Sequence, residues 1–133
     1  MSYVDLPDSE DLPELKLLDD GREIKLRIKK AESGTSKNNV PRLEIVVEDP
    51  SDPLVDDMYL YINMPSPTLR EEDEKKYVKT VKYLKDFLEC FGINSAQGFD
   101  TEDLVGAEGW CIVGVEEYEG RRSNRVKSYV KGR

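Results

Sequence analysis

Apolar and polar residues alternate along several short segments of the chain. In the first segment Ile24, Leu26 and Ile28 alternate with charged side chains, a period of two that is typical of a half-buried β-strand. Later segments repeat this alternation or form a continuous apolar run bounded by polar loops. We therefore predict five strands, at residues 22–32, 43–47, 58–63, 106–117 and 125–130.

One segment between the third and fourth strands follows a helical period instead. Leu84, Leu88 and Phe91 recur every three or four residues, as the apolar side chains on one face of a helix do. Thr68 and Glu71 have the spacing of a capping box, which marks a helix start. The pattern predicts one helix in this part of the chain.

The predicted order is three strands, one helix and two strands, which is the order of the OB-fold. We therefore expect a mainly β protein with a five-stranded, OB-fold-like Greek-key barrel and one α-helix between strands 3 and 4. Other small barrels and sandwiches share this order. Residues 1–20 show little periodicity and are predicted to form a flexible acidic arm, whereas residues 21–133 are predicted to form a single domain.

Composition limits the chemistry. The chain of 133 residues has 28 acidic and 20 basic side chains, a formal charge of −8, no histidine and two cysteines. Histidine-dependent triads and histidine-ligated metal sites are thereby excluded. No phosphate-binding glycine loop and no nucleophile–base pair is present, and Cys90 and Cys111 lie in apolar runs. We therefore expect a non-enzymatic protein without a metal or cofactor.

The negative charge is unevenly distributed along the sequence. Residues 1–20 carry a net charge of −6, whereas residues 21–47 carry +4 and residues 110–133 carry +3. The two strand pairs are thus basic within an acidic protein, which permits a polyanionic partner. An acidic N-terminus and the lack of a long apolar run predict a cytoplasmic protein with no membrane partner.

The outward faces of the predicted strands and two loops contain both cations and aromatic rings. Single-stranded nucleic acid is bound by cations along its phosphates and by rings on which its bases stack. The loops at residues 33–39 and 118–124 correspond to those that OB-folds use for ligands. The candidate nucleic-acid-binding residues are Lys25, Arg27, Lys29, Lys37, Tyr59, Tyr61, Tyr118, Arg121, Arg122, Arg125, Lys127 and Tyr129.

Each candidate also has a purely structural interpretation. Alternating lysine and arginine are common on any solvated strand. Tyr59 and Tyr61 could serve instead to pack under the helix or the N-terminal arm. Trp110 fits both the core and the outward face, and we favour the core. The helix lysines oppose its apolar stripe and are interpreted as a solvated face.

Four segments resemble small single-stranded DNA-binding proteins of phages and prophages, which have an OB-fold. They are the runs GREIKLRIKKAE (21–32), FLECFGI (87–93), LVGAEG (104–109) and EYEGRRSNRV (117–126). The resemblance covers about residues 20–130 and implies a protein that coats exposed single strands in replication or recombination, in the host cytoplasm. The chain departs from this family in carrying its acidic segment at the N-terminus.

The expected partner is single-stranded DNA, or RNA, with replication or recombination proteins and a second copy of the chain as further candidates. An alternative from another class is a protein-interaction adaptor or an acidic domain that mimics DNA. The acidic residues of this chain are concentrated in the predicted arm and connections, whereas a protein that mimics DNA needs an ordered array of carboxylates.

Overall fold

The computed structural model describes residues 2–94 and 98–132. Met1 and Arg133, the outermost residues of the predicted arm and domain, lie outside the described residues. The strands form one antiparallel sheet in the order β3-β2-β1-β4-β5, which confirms a mainly β protein. Their bounds are β1 (Glu23–Thr35), β2 (Pro41–Glu48), β3 (Met58–Asn63), β4 (Glu108–Tyr118) and β5 (Arg121–Tyr129).

β1 pairs with two neighbours at different points along its length. Residues 23–27 pair with β4, and residues 27–35 pair with β2. A β-bulge between Ile28 and Lys30 leaves Lys29 without a partner in the second ladder. Bulges bend the strand that contains them and increase its twist, so β1 changes direction between its two neighbours.

The two edge strands, β3 and β5, approach each other across the curved sheet. In the part of the chain that the structure describes, no hydrogen-bonded ladder joins them, and the sheet is therefore open.

In the described part of the connection between β3 and β4 there are two α-helices where the sequence predicts one. They are α1 (Pro67–Glu72) and α2 (Glu74–Cys90). Ser66 caps α1, since its hydroxyl accepts a hydrogen bond from the Leu69 N–H at 3.2 Å. Asp73 has a non-helical backbone and its carboxylate accepts from the Lys76 N–H at 3.1 Å. The predicted cap at Thr68 is therefore wrong, because Pro67 occupies the first turn and favours the residue before it as the cap.

The hydrophobic core lies between the concave side of the sheet and α2. Phe87 is fully buried and its ring lies 5.0 Å from that of Phe91. α2 contacts β3, β4 and β5, so its apolar stripe closes over the inward faces of three strands. The other core side chains include Leu26, Ile28, Leu43, Ile45, Val47, Met58, Ile62, Leu84, Leu88, Leu104, Cys111 and Val113.

The end of α2 packs closely on β4. A Cβ atom at Gly109 would lie 2.7 Å from the carbonyl oxygen of Cys90, so only glycine permits this approach. The Cys90 thiol donates a hydrogen bond to the Trp110 carbonyl oxygen at 3.2 Å, and Cys111 is buried in the core. Both cysteines are free thiols.

Residues 16–20, which the sequence analysis assigns to the arm, make contacts of the domain. Lys16 forms a parallel bridge with Val55, and Leu18 is buried. The Asn124 side chain accepts a hydrogen bond from the Leu18 N–H at 2.8 Å and donates to the Leu18 carbonyl at 2.9 Å. The last part of the arm is thus attached to β5.

None of the helices in the described ranges has the length and apolar character that crossing a bilayer requires.

Candidate nucleic-acid interface

Two exposed tyrosines lie side by side on the outward face of β3. Met58, Leu60 and Ile62 point into the core, and the alternation of a strand therefore places Tyr59 and Tyr61 outside. Their exposed fractions are 63% and 57%. We call these two residues the tyrosine pair. Their rings are available for stacking on a flat ligand, and the expectation that they face outward is confirmed.

A cation that the sequence analysis did not single out lies on the tyrosine pair. The Arg42 guanidinium is 4.4 Å from the centre of the Tyr61 ring, within the range of a cation–π interaction. Arg42 also donates to the Glu44 carboxylate at 3.1 Å. The cross-strand register explains the contact, because Glu44 is opposite Tyr61 and Arg42 is its diagonal neighbour. The signal was present in the alternation of β2, whose outward residues include both side chains.

The three cations predicted for the outward side of β1 are each held by a carboxylate. Their ion pairs are Lys25 with Glu108 at 3.1 Å, Arg27 with Glu48 at 2.6 Å and Lys29 with Asp57 at 2.9 Å. The hydrogen bonds to Glu48 and Asp57 raise the pKa values of Arg27 and Lys29 above their usual values. These cations stay charged, but much of their field is compensated by adjacent acids.

The predicted loop at residues 118–124 is a tight hairpin. Only Glu119 and Gly120 connect β4 to β5, and both have positive φ angles, 50° and 77°, as a type I′ turn requires. Arg121 and Arg122 are therefore strand residues whose side chains lie on opposite faces. Arg121 pairs with the exposed Tyr118.

The remaining charged residues of this hairpin also follow the strand register. Arg122 faces Glu117, with 4.0 Å between the charged groups, and Arg125 lies 3.8 Å from Glu116. Of the other two arginines, Arg125 shares the outward face with Arg121, because the two are four positions apart in the strand. The hairpin thus divides the arginines that the sequence placed in one cluster.

The expectation that Tyr129 faces outward with Lys127 is wrong. A register shift in the β4–β5 ladder leaves Lys127 unpaired, since Ile112 is opposite Ser128 and Val113 is opposite Val126. The extra residue reverses the alternation after it. Lys127 stays exposed, whereas the Tyr129 ring packs 5.7 Å from the Phe87 ring. Burial and the hydrogen bond to Tyr83 raise the pKa of Tyr129.

The loop between β1 and β2 is shorter than predicted because β1 extends to Thr35. Lys37 lies at its exposed tip. The Ser36 hydroxyl accepts hydrogen bonds from the N–H groups of Asn38 and Val40, which hold the turn. In the described ranges no carboxylate lies within 4.0 Å of the amine of Lys37, and the same holds for Arg121 and Lys127.

Trp110 lies on the outward face of β4, and its assignment to the core is wrong. Cys111 and Val113 are buried, so the residues that alternate with them point outward. Trp110 is half-buried and directly opposite Lys25. The error arose because β4 is apolar on both faces, and only the pairing with β1 distinguishes the two.

The structure therefore brings part of the predicted site together. The outward face holds a ring or a cation on each of β1, β3, β4 and β5. Arg122 lies on the other face of the hairpin, and the half-buried Tyr129 ring packs against Phe87 of the core. Within the described ranges no group of three or more acidic or cysteine side chains is arranged to hold a metal ion. No protein-family model matches this sequence, and no curated protein is significantly similar to it.

Proposed function

We propose that the protein binds single-stranded DNA without catalysing a reaction, coating exposed strands in phage-type replication or recombination. The observation that carries this proposal is the tyrosine pair. Tyr59 is 63% exposed and Tyr61 is 57% exposed, and the Arg42 guanidinium lies over the Tyr61 ring. Exposed rings of this kind stack on unpaired bases, and each stacked base contributes about 1–3 kcal/mol. Resemblance to phage single-stranded DNA-binding proteins supports the same ligand.

The connectivity of the sheet supports an OB-fold for this protein. Its strand order, β3-β2-β1-β4-β5, together with the approach of β3 to β5, is the arrangement from which a five-stranded Greek-key barrel closes. OB-folds bind oligonucleotides on strands 2 and 3 and on the loops between strands 1 and 2 and between strands 4 and 5. The tyrosine pair and Lys37 occupy two of these positions.

Compensated charges on the outward face are compatible with this ligand. Exposed ion pairs contribute little net free energy, so a phosphate can replace the carboxylate beside Lys25 or Arg27 at small cost. Because much of the phosphate attraction is offset by nearby acids, stacking should supply a large share of the affinity. We therefore propose a sequence-tolerant protein whose binding weakens with salt by about 0.7 logarithmic units per phosphate contact.

The test is a titration of labelled oligo-dT with the whole chain at several salt concentrations. The parent protein should bind, and a Tyr59→Ala/Tyr61→Ala variant should bind at least tenfold more weakly, since each ring contributes about 1–3 kcal/mol. Tyr3→Ala is the matched control, because Tyr3 is 90% exposed but lies on the N-terminal arm. Unchanged binding by the double variant would overturn the site, and no binding by the parent at low salt would overturn the function.

A second candidate is a protein-interaction module, which the arm favours. Tyr3, Leu6 and Leu15 are 90%, 79% and 66% exposed among acidic residues, and exposed apolar side chains are typical of a surface that a partner covers. A gel shift with single-stranded and duplex DNA at low salt separates the two candidates. Retention of neither would favour the interaction module.

A further inference from the structure

A groove leads from the tyrosine pair over the edge of β3 to α2. One depression, on the outward face, has Tyr59 and Tyr61 in its lining and a volume of about 170 Å³. A second, of about 310 Å³, is lined by Tyr61, Lys76, Lys79 and Tyr83 among others. Since Tyr61 lines both, the two depressions are adjacent and one extended ligand can occupy them in succession.

The groove continues beyond α2 to the loop between β1 and β2. A third cavity, of about 430 Å³, shares Asn63, Lys76 and Thr80 with the second and reaches Asn38 and Asn39. Residues of β3 line all three. The length of the groove suits a chain-like ligand better than a compact one.

Lys76 and Lys79 of α2 differ from the cations of β1 in their surroundings. Within residues 2–94 and 98–132, no carboxylate lies within 4.0 Å of the amines of Lys76 or Lys79. No acidic residue lines the second depression. Glu72 lines the third cavity together with Lys76, so the second depression is the part of the groove that presents uncompensated positive charge, which is complementary to phosphate.

The same depression contains a third ring held in a defined orientation. Tyr83 is 49% exposed, and its hydroxyl is hydrogen-bonded to that of Tyr129 at 3.1 Å. The two rings meet edge to face with 5.7 Å between their centres. Because Tyr129 packs on Phe87 in turn, the exposed part of Tyr83 rests on a rigid support, as a stacking surface requires.

We infer that the single strand continues from the tyrosine pair along this groove, with its phosphates on Lys76 and Lys79 and a base on Tyr83. This inference rests on the proposed function and adds a helix face to the binding surface. It replaces the interpretation of these two lysines as part of a solvated face.

The test compares two double variants on the same helix. Lys76→Ala/Lys79→Ala removes the groove cations, and Lys82→Ala/Lys85→Ala removes the same charge from positions that do not line it. Alanine preserves helix propensity at all four sites. With oligo-dT, the groove variant should bind about tenfold more weakly than the parent and lose about 1.4 units of salt slope, or 0.7 for each contact.

The control variant should keep the salt slope of the parent. Equal slopes and affinities for the two double variants, with a parent that binds and a weakened Tyr59→Ala/Tyr61→Ala variant, would overturn the groove but leave the proposed function standing. A parent that does not bind oligo-dT would overturn both.

Tyr83 provides an independent check that separates stacking from charge. Tyr83→Leu should weaken binding severalfold without changing the salt slope, since the ring makes no phosphate contact. Tyr83→Phe retains the ring but loses the hydrogen bond to Tyr129, and it should lose less affinity than the leucine variant. Equal binding by the leucine and phenylalanine variants would exclude a base on this residue.

Discussion

The outward side of β1 and the exposed flank of α2 both carry cations, but the two regions differ in what surrounds them. On β1, Lys25, Arg27 and Lys29 each lie within 3.1 Å of a carboxylate oxygen. On α2, the described residues place no carboxylate within 4.0 Å of Lys76 or Lys79. A phosphate must displace an acid in the first region, whereas the second can bind it directly.

This difference shows that the number of cations in a region does not determine the electrostatic field that they produce. Residues 21–47 have a net charge of +4 in the sequence, yet acids from β2, β4 and the connection before β3 compensate them in the fold. Steering of a polyanion depends on that summed field. The exposed flank of α2 and the tip of the loop between β1 and β2, rather than the β1 face, are therefore regions where the acidic protein presents positive charge.

The largest effect, on the free energy of unfolding, is expected from removing a side chain that packs beneath α2. Tyr129→Ala removes a ring that contacts Phe87 and Tyr83 and should lower the free energy of unfolding by about 3 kcal/mol. Tyr59→Ala, on the exposed face, should change it by less than about 0.5 kcal/mol. Urea denaturation measures both. Similar values for the two variants would show that Tyr129 is not part of the packing under α2.

A second prediction removes the acids from the sheet. Glu48→Gln/Glu108→Gln leaves Arg27 and Lys25 without their ion partners and should tighten oligo-dT binding about fivefold, with a salt slope steeper by about 0.7 for each cation released. The measurement is the oligo-dT titration at several salt concentrations.

The control for this change is Glu71→Gln/Glu102→Gln, which removes equal charge from two exposed acids outside the site. It should leave the slope unchanged. If both double variants tighten binding equally, the effect is one of net charge, and the contrast between the sheet and α2 loses its basis.

A smaller difference is expected between neighbouring arginines of the hairpin. Arg121 has no ion pair in the described part of the chain and shares the outward face with Tyr118, whereas Arg122 faces Glu117 on the other side. Arg121→Ala should weaken binding about threefold and reduce the salt slope by about 0.7. Arg122→Ala should match the parent. Equal losses would mean that the strand register does not decide which arginine reaches the ligand.

The smallest effect concerns the ion pair that joins the arm to the connection before β3. The hydrogen bond from Lys16, at 2.8 Å, lowers the pKa of Asp52. Because the pKa of Asp52 is lower in the folded protein than in the unfolded chain, the ionised carboxylate stabilises the fold at pH values above the unfolded pKa of about 3.9. This contribution is lost as the pH falls through the lowered pKa. Asp52→Asn should therefore reduce Tm slightly at neutral pH. When Tm is measured as a function of pH, the values for the parent and the variant should converge in acid. A constant difference would contradict the assignment.

Local pattern was sufficient for much of this fold. Alternation located four of the strands and an apolar run located β4, and the exposure of Tyr59 and Tyr61 followed from the burial of Met58, Leu60 and Ile62. The predicted helix start was wrong because two successive helices, capped by Ser66 and Asp73, occupy this segment. One continuous period of apolar residues conceals the break between them.

What the sequence by itself determined is which residues alternate, and therefore which faces of β1, β2 and β3 are apolar. Tertiary structure alone decided how the polar faces are partnered. A bulge at Lys127 reversed the alternation and turned Tyr129 towards Phe87. Pairing of β4 with β1 turned Trp110 outward, and acids distant in sequence compensated the β1 cations. The physical reason is that burial follows a short local period, whereas charge compensation and register depend on contacts between residues far apart in the chain.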